Sequence, residues 1–249
     1  MCLPVSPLRR IHPVSHSVPS HRAVTVAARH LSSICVLQRS KGRHGDPTPG
    51  TVMTEFEYEP QGILTPHLLR AIVRQYSLPW RGTHGLPHWA RVLDNGLRIA
   101  GDTGADPIVV TLFAVFHDAC RFNEGWDRGH GRRGADLAAA LREDVYVLDD
   151  MRFDLLYYAC VHHTDGMTDG DPTVRSCWDA DRLDLGRVRI TPDPRRMATD
   201  YAARPEVIAW AEKRSRGGYV PPVTDIWEKW AGDDASDDAG DEAGAGAAD

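Results

Sequence analysis

Histidine and aspartate residues recur in the middle of the chain at the places where apolar stretches end. Imidazole and carboxylate groups are ligands suited to divalent Zn, Fe, Mn, Ni or Co. Several helix ends can converge on one point inside a helical bundle, where their side chains can share an ion. The sequence therefore predicts a site for such ions, and the residues that could contribute ligands are His84, His88, His117, Asp118, His130, His162, His163, Asp179 and Asp181.

The pair His117 and Asp118 carries the most weight because of where it lies. In the stretch VVTLFAVFHDACRF, residues 109–122, ten of fourteen residues are apolar and none is glycine or proline. A carboxylate and an imidazole at the end of such a buried helix are costly unless a partner compensates them. A bound cation would supply that charge, and coordination would satisfy the imidazole nitrogens.

Each candidate also has an ordinary structural explanation. His88 could be a hydrogen-bonded core residue, Asp118 could pair with an arginine, and His130 could be solvated at the start of a helix. His162 competes with His163, since neighbours on a helix point about 100° apart. The occurrence of all these residues at successive helix ends favours the metal site, and we expect only one of His162 and His163 to face inward.

The elements that must position these residues are predicted to be helices throughout. The segment TPHLLRAIVRQYS, for example, begins with a threonine suited to the N-cap and a proline suited to the first helical position. No alternating strand pattern of useful length occurs, which favours an all-α domain. The predicted helices are 65–77, 86–101, 107–120, 130–142, 150–163, 176–185, 194–203 and 205–215.

The charge pattern divides the chain into three parts. Residues 1–52 carry seven Arg or Lys and one acid, whereas residues 232–249 carry seven acids and no base. The first part fits a disordered leader such as a transit peptide, and fits a secretory signal badly. The alternative that we favour is that the natural start is Met53. The predicted organisation is a helical domain at 53–231 and a disordered acidic tail at 232–249.

Composition excludes several classes of function. The chain is 42% hydrophobic and 26% charged, with a formal net charge of -6, and it has no basic stripe suited to duplex nucleic acid. No apolar run is long enough to span a membrane. The five cysteines lie far apart with no C-x-x-C pair, which argues against a disulfide framework or a zinc knuckle. We expect a reducing compartment, the cytoplasm.

The order of the candidate ligands resembles the HD superfamily of metal-dependent phosphohydrolases. The resemblance spans about residues 80–190 and rests on HWARV, the HD pair, HGRRGA, HHTDG and DADRLD. It implies an HD-domain helical bundle with the metal site at converging helix ends. By resemblance, one metal is held by His88, His117, Asp118 and Asp181. The additional histidines of two-metal members correspond to His130 and His163, and Asp118 would bridge the two ions.

Two departures from the family pattern leave the substrate open. Many nucleotidase members carry a catalytic acid three residues after the aspartate of the HD pair, and this chain has Arg121 there. The branch that acts on cyclic dinucleotides carries a glycine-tyrosine-proline signature, and this chain has TDGMTDGDPTV instead. Neither departure touches the predicted ligands.

The function that the resemblance implies is hydrolysis of a phosphate ester, mono- or diester, by metal-activated water. The substrate would be a nucleotide or a small phosphorylated metabolite. Candidate catalytic residues are Asp118, Arg121, Arg132 and Arg133. Arg132 and Arg133 are also candidates for substrate binding, because an anion at their helix start would reconcile two cations with the helix dipole. Their alternative is pairing with nearby acids, and the alternative for Arg121 is a salt bridge.

Two other functions stay open at this stage. The same ligand order is similar to that of di-iron oxygenases of the inositol-oxygenase type, and a module that keeps the metal could sense a nucleotide without turnover. Arg182 and Asp184, which follow Asp181 closely in the sequence, are expected to support the ligands or to have a structural role. The native metal and the oligomeric state are not determined by the sequence.

Overall fold

A computed structural model describes residues 62–232 of the chain. This part consists of eight α-helices and two short 3-10 helices, and no β-strand occurs within it. The predicted all-α class is confirmed for this part. The α-helices are α1 (Pro66–Val73), α2 (Leu86–Thr103), α3 (Pro107–Phe116), α4 (His130–Leu141), α5 (Asp150–His162), α6 (Pro172–Arg182), α7 (Pro205–Arg216) and α8 (Val223–Gly232). The 3-10 helices are Leu185–Val188 and Pro194–Arg196.

Local sequence signals explain where most of these helices begin. Thr65 caps α1 by accepting the backbone N–H of Leu68 at 3.1 Å. Asp106, Asp149 and Asp171 cap α3, α5 and α6 in the same way. The N–H groups in the first turn of a helix have no acceptor within the helix. Each of these four caps supplies one and thereby stabilises its helix by about 1 kcal/mol.

Helix α3 forms the centre of the core. Its residues from Val109 to Phe116 are all buried, and it packs against α2, α5 and α6. Because every face of α3 is covered, its apolar residues are distributed around the helix rather than along one stripe. The chain therefore leaves the end of α3 in the interior, and the polar residues that follow start from a buried position.

Two glycines allow α4 to approach its neighbours closely. A Cβ atom on Gly134 would overlap the carbonyl oxygen of Phe116, and one on Gly131 would overlap the carbonyl oxygen of Cys160. The same Cβ on Gly131 would lie 2.8 Å from the imidazole ring of His163. The absence of side chains on this face brings the start of α4, where His130 lies, against the ends of α3 and α5.

Four predicted helices differ from the structure. The helix predicted at 65–77 ends at Val73, and the helix predicted at 176–185 spans Pro172–Arg182. The helix predicted at 107–120 ends at Phe116, and His117 and Asp118 lie in the turn that follows. The helix predicted at 194–203 is wrong, because only Pro194–Arg196 forms a 3-10 helix and turns follow it. The physical reason is the buried Asp179 carboxylate, which accepts the backbone N–H groups of Ala198 and Thr199 at 2.7–2.9 Å.

Helix α8 was not predicted from the sequence. It packs against α1, and its Trp227 is fully buried. The predicted leader at 1–52 lies outside the described residues. So does the predicted tail at 232–249 except for Gly232, which is the last residue of α8 and not part of a disordered segment. Among residues 62–232, none of the helices combines the length and the apolar character that a membrane span needs.

The close approach of α4 predicts opposite effects for two glycine substitutions. Gly134→Ala should lower the free energy of unfolding by about 1–3 kcal/mol, because the new methyl group forces α4 away from α3. Gly101→Ala, at an exposed position of α2 with nothing within 4 Å of its Cβ, should raise it by about 0.5–1 kcal/mol. Urea denaturation of the two variants checks this. Similar effects of both substitutions would contradict the packing role of Gly134.

Candidate metal centre

The six predicted ligands lie together where five helices begin or end. His88 belongs to the first turn of α2, His130 is the first residue of α4, and Asp181 lies in the last turn of α6. His117 and Asp118 follow α3, and His163 follows α5. The four histidines and Asp118 are buried. The structure therefore brings the predicted residues together.

The first group of side chains surrounds one oxygen of Asp118. The Nε2 atoms of His88 and His117 are 3.1 Å apart, and they lie 3.4 and 3.7 Å from Oδ2 of Asp118. Oδ1 of Asp181 lies 3.5 Å from Nε2 of His88. His88, His117 and Asp118 form a group whose ligand atoms all lie within 4.8 Å of one another, and Asp181 stands at its edge.

The second group surrounds the other oxygen of the same carboxylate. The Nε2 atoms of His130 and His163 are 2.9 Å apart, and they lie 3.1 and 3.9 Å from Oδ1 of Asp118. The ligand atoms of Asp118, His130 and His163 also all lie within 4.8 Å of one another, close enough to share an ion. Asp118 thus presents one oxygen to each pair of imidazoles.

Backbone carbonyls fix the orientation of three of these imidazoles. Nδ1 of His117 donates to the carbonyl of Phe113 at 3.1 Å. Nδ1 of His130 donates to the carbonyl of Asp127 at 2.6 Å, and Nδ1 of His163 donates to the carbonyl of Cys160 at 2.8 Å. A carbonyl oxygen only accepts, so the proton must be on Nδ1. Each Nε2 atom therefore points toward the Asp118 carboxylate.

Burial keeps the inner imidazoles uncharged. It lowers the pKa of His117 from 6.5 to about 3 and also lowers the pKa of His163. In neutral His117 and His163, with Nδ1 protonated, Nε2 carries a lone pair. Two imidazole nitrogens that face each other at such short distances need a cation between them or beside them, since lone pairs repel each other.

The spacing and the donor set fit a divalent transition metal. Two nitrogens bound at about 2.0–2.1 Å and at angles between 90 and 109° lie about 2.9–3.3 Å apart. Both observed Nε2 pairs fall in that range. In addition, Oδ1 of Asp181 is buried without a hydrogen-bond partner in the described part of the chain. Nitrogen and carboxylate ligands of this kind suit Zn, Fe, Mn, Ni or Co.

The charges of the site favour the ionised form of Asp118. Its burial by itself raises the pKa, but His117, His130 and His88 around it hold the pKa well below the usual range. The carboxylate is therefore an anion enclosed by protein. A buried anion that lies beside the uncharged imidazole of His117 is stable only with further positive charge nearby.

A second carboxylate orients His88 from behind. Nδ1 of His88 donates to Oδ2 of Asp184 at 2.7 Å, and Asp184 accepts two hydrogen bonds from Arg91 at 2.6 and 2.9 Å. Hydrogen bonds to the outer nitrogen of a ligand histidine fix its orientation and raise its basicity. The expectation that Asp184 supports the ligands agrees with this contact, whereas Arg182 donates to Asp179 at 3.2 Å.

Arg121 lies at the second group and has all of its nitrogens engaged. Its Nη1 donates to Oδ1 of Asp118 at 3.2 Å and to Nε2 of His130 at 3.1 Å. Its Nη2 and Nε donate to the carbonyls of Gly125 and Asn123. In this arrangement Arg121 contributes positive charge next to Asp118, and the salt bridge weighed as its alternative is present.

The structure does not bring Arg132 and Arg133 into contact with the predicted ligands. Arg132 has a side chain that is 60% exposed, and its partner is Asp136 on the same helix at 3.6 Å. Arg133 donates to Asp127 at 2.6 Å and to the carbonyl of Cys120 at 2.9 Å. Asp136 and Asp127 determine where the two arginine side chains point. The position of the arginines at the start of a helix does not indicate these partners.

Two further features of the site differ in how well the sequence indicated them. His162 turns away to Asp165, with 2.7 Å between Nδ1 and Oδ2, so His163 is the residue that faces inward as expected. Nη2 of Arg187 lies 3.5 Å from Oδ1 of Asp181. Arg187 was not identified from the sequence as part of the site. Its only sequence signal is its position six residues after Asp181.

Comparisons of the chain with protein-family models, with curated proteins and with solved structures found no match.

The lowered pKa values of His117 and His163 predict acid sensitivity of the metal-free protein. Both residues bind protons more readily when unfolded, so the free energy of unfolding should fall as the pH drops below about 6.5. For His117, whose pKa falls to about 3, the loss should be about 1 kcal/mol per pH unit over this range, and His163 should add to it in the same direction. Urea denaturation with a chelator at about pH 7, 6 and 5 measures it.

The matched control for this pH dependence is His162→Ala. His162 lies outside the buried group, so this variant should keep the slope of stability against pH, whereas His117→Ala should reduce it. A stability that is the same at the highest and lowest pH in the parent protein would contradict the prediction.

Proposed function

We propose that the protein is a metal-dependent phosphohydrolase of the HD superfamily type, acting on a phosphate ester of a nucleotide or of a small phosphorylated metabolite. One observation carries the proposal. Four buried Nε2 atoms meet in two pairs, and each pair faces a different oxygen of Asp118. This arrangement supports two adjacent ion positions that share one carboxylate, which is a common arrangement in phosphoryl-transfer enzymes.

The residues divide into two sets of ligands. His88, His117 and Asp181 would hold one ion with Oδ2 of Asp118, and His130 and His163 would hold a second with Oδ1. Divalent ions held there would supply an activated water and polarise a phosphoryl oxygen. The protein fixes the ligand atoms in advance through the Nδ1 hydrogen bonds, so little reorganisation is needed.

Exposure indicates the side from which a substrate reaches the centre. The side chains of His88, His117 and Asp118 are at most 2% exposed, whereas that of Asp181 is 14% exposed. Asp181 is therefore the ligand closest to solvent. A phosphate ester would approach from the side of Asp181 and Arg187, because the other ligands are enclosed by helices.

Positive charge around the centre favours an anionic substrate over a neutral one. Arg121 lies beside Asp118, and Arg187 lies beside Asp181. Charge in a phosphoryl-transfer transition state spreads over the equatorial oxygens, so cations on this side stabilise it. A di-iron oxygenase and a nucleotide-sensing module would use the same ligands without a phosphoryl-transfer transition state to stabilise. They are the alternatives that an assay must separate from the proposed hydrolase.

The test of the proposed activity is phosphate release in the presence of added Mn, Fe, Zn, Ni or Co, screened over nucleotides and sugar phosphates. We expect multiple turnovers with at least one ester, loss of turnover in Asp118→Ala, and retention in His162→Ala as the matched control. Oxygen consumption by the iron-loaded protein without phosphate release would favour the oxygenase. Nucleotide binding without turnover would favour the sensing module.

The division of ligands also predicts how much metal the chain holds. The parent protein should bind two ions, and the double variant His130→Ala, His163→Ala should bind one and lose turnover while it stays folded. His162→Ala should still bind two, because His162 faces Asp165. Elemental analysis of the purified proteins measures the ratio. If the double variant binds as much metal as the parent, the second position does not exist.

A further inference from the structure

A strongly basic pocket lies beside the metal centre. Its volume is about 470 Å³, and it is bounded by the start of α2, the 3-10 helix Leu185–Val188 and the end of α7. This volume lies within the range of small-molecule sites. Five arginines line it: Arg81, Arg91, Arg187, Arg189 and Arg216.

Three of these arginines are paired with carboxylates inside the described part of the chain. Arg91 binds Asp184 through two nitrogens at 2.6 and 2.9 Å. Arg81 contacts Glu228 at 2.6 Å. Arg216 contacts Glu212 at 2.6 Å. The charges of these pairs largely cancel, so the guanidinium donors that remain for a ligand belong to the other two arginines.

Arg187 is the first of the two, and it is buried with donors to spare. Its side chain is only 10% exposed, with Nη2 at 3.5 Å from Asp181 and Nη1 at 3.9 Å from Asp184. Nε and Nη1 are buried, and neither finds a hydrogen-bond partner within residues 62–232. Buried guanidinium donors without partners are destabilising, and an oxyanion is the ligand that matches their fork geometry.

Arg189 is the second, and it occupies an unusual backbone position. Its φ of 66° is in the left-handed region, where it follows the end of the 3-10 helix Leu185–Val188. Glycine is the residue favoured at such a helix end, and a side chain there costs about 1 kcal/mol. Arg189 is exposed, and no carboxylate in the described residues pairs with it.

We propose that this pocket binds a phosphate group of the substrate other than the one hydrolysed at the metal centre. This inference rests on the proposed function and names its substrate class as molecules that carry at least two phosphate groups. Arg187, whose Nε and Nη1 have no hydrogen-bond partner in the described residues, and Arg189 offer guanidinium donors that match the oxygens of one phosphate group. Arg187 contacts the ligand Asp181 and also lines the pocket, so the two sites share a wall.

The other arginines considered for phosphate binding are less suited to it. All nitrogens of Arg121 already donate to protein acceptors. Arg132 pairs with Asp136, and Arg133 pairs with Asp127. Only Arg187 combines burial, free donors and a position next to a ligand of the metal centre.

The first experiment measures the binding of inorganic phosphate to the full chain, purified with its metal, by isothermal titration calorimetry. Arg189→Gly keeps the left-handed backbone conformation and removes the guanidinium, so folding is not in question. Arg187→Gln removes the buried charge. Each variant should weaken phosphate binding about tenfold. The control Arg195→Ala, at an arginine that is 88% exposed and lies outside the pocket, should bind as the parent does.

The second experiment separates the pocket from the metal centre by kinetics. For an ester with a second phosphate group, Arg189→Gly should raise KM more than kcat falls. For p-nitrophenyl phosphate, which has one phosphate, the rise in KM should be several times smaller. Equal changes for both esters, or phosphate binding that neither variant alters, would overturn the pocket assignment even where turnover occurs. Arginine-dependent phosphate binding without turnover of any ester would overturn the proposed activity and leave the pocket as a phosphate site.

Discussion

The buried carboxylate of Asp118 is the interaction on which the rest of the structure depends. It follows a helix whose residues are covered on all sides, so the apolar packing of α3 places an anion in the core. An isolated charge there is too costly to keep, and the neighbouring imidazoles are held uncharged by burial at least in His117 and His163. Arg121 supplies part of the missing positive charge. Divalent ions between the two Nε2 pairs would supply the rest.

The ends of the helices provide more than a location for the ligands. The last carbonyl groups of an α-helix have no partner within the helix. His117 uses the carbonyl of Ala114 for its Nδ1 proton, together with that of Phe113, which also accepts the backbone N–H of His117, and His163 uses that of Cys160. The same hydrogen bonds satisfy the helix end and aim Nε2 at the centre. The close contact of Gly131 with α5 then brings His130 to within 2.9 Å of His163.

The sequence was sufficient to identify the His and Asp residues that meet in the candidate metal centre, but not their surroundings. His and Asp residues at the ends of apolar segments are a local signal, because the period of a helix and its termination can be read from neighbouring residues. The direction of Arg133 depends in part on the carbonyl of Cys120, 13 residues away, and the turn after Met197 depends on Asp179, 19 residues away from Ala198. Such contacts join distant parts of the chain. The role of Arg187 was missed for the same reason, since its surroundings are formed by α2 and α7 as well as by its own turn.

Asp181 and Asp184 connect the metal centre with the basic pocket. On one side they face His88, at 3.5 and 2.7 Å, and on the other they face Arg187. A phosphate that engages Arg187 competes with Asp181 for the same guanidinium and leaves more of the Asp181 charge for an ion beside His88. By thermodynamic linkage, an ion that draws Asp181 away from Arg187 then favours phosphate in the pocket to the same degree. In the proposed enzyme, one arginine therefore makes the binding of metal and of a doubly phosphorylated substrate mutually favourable.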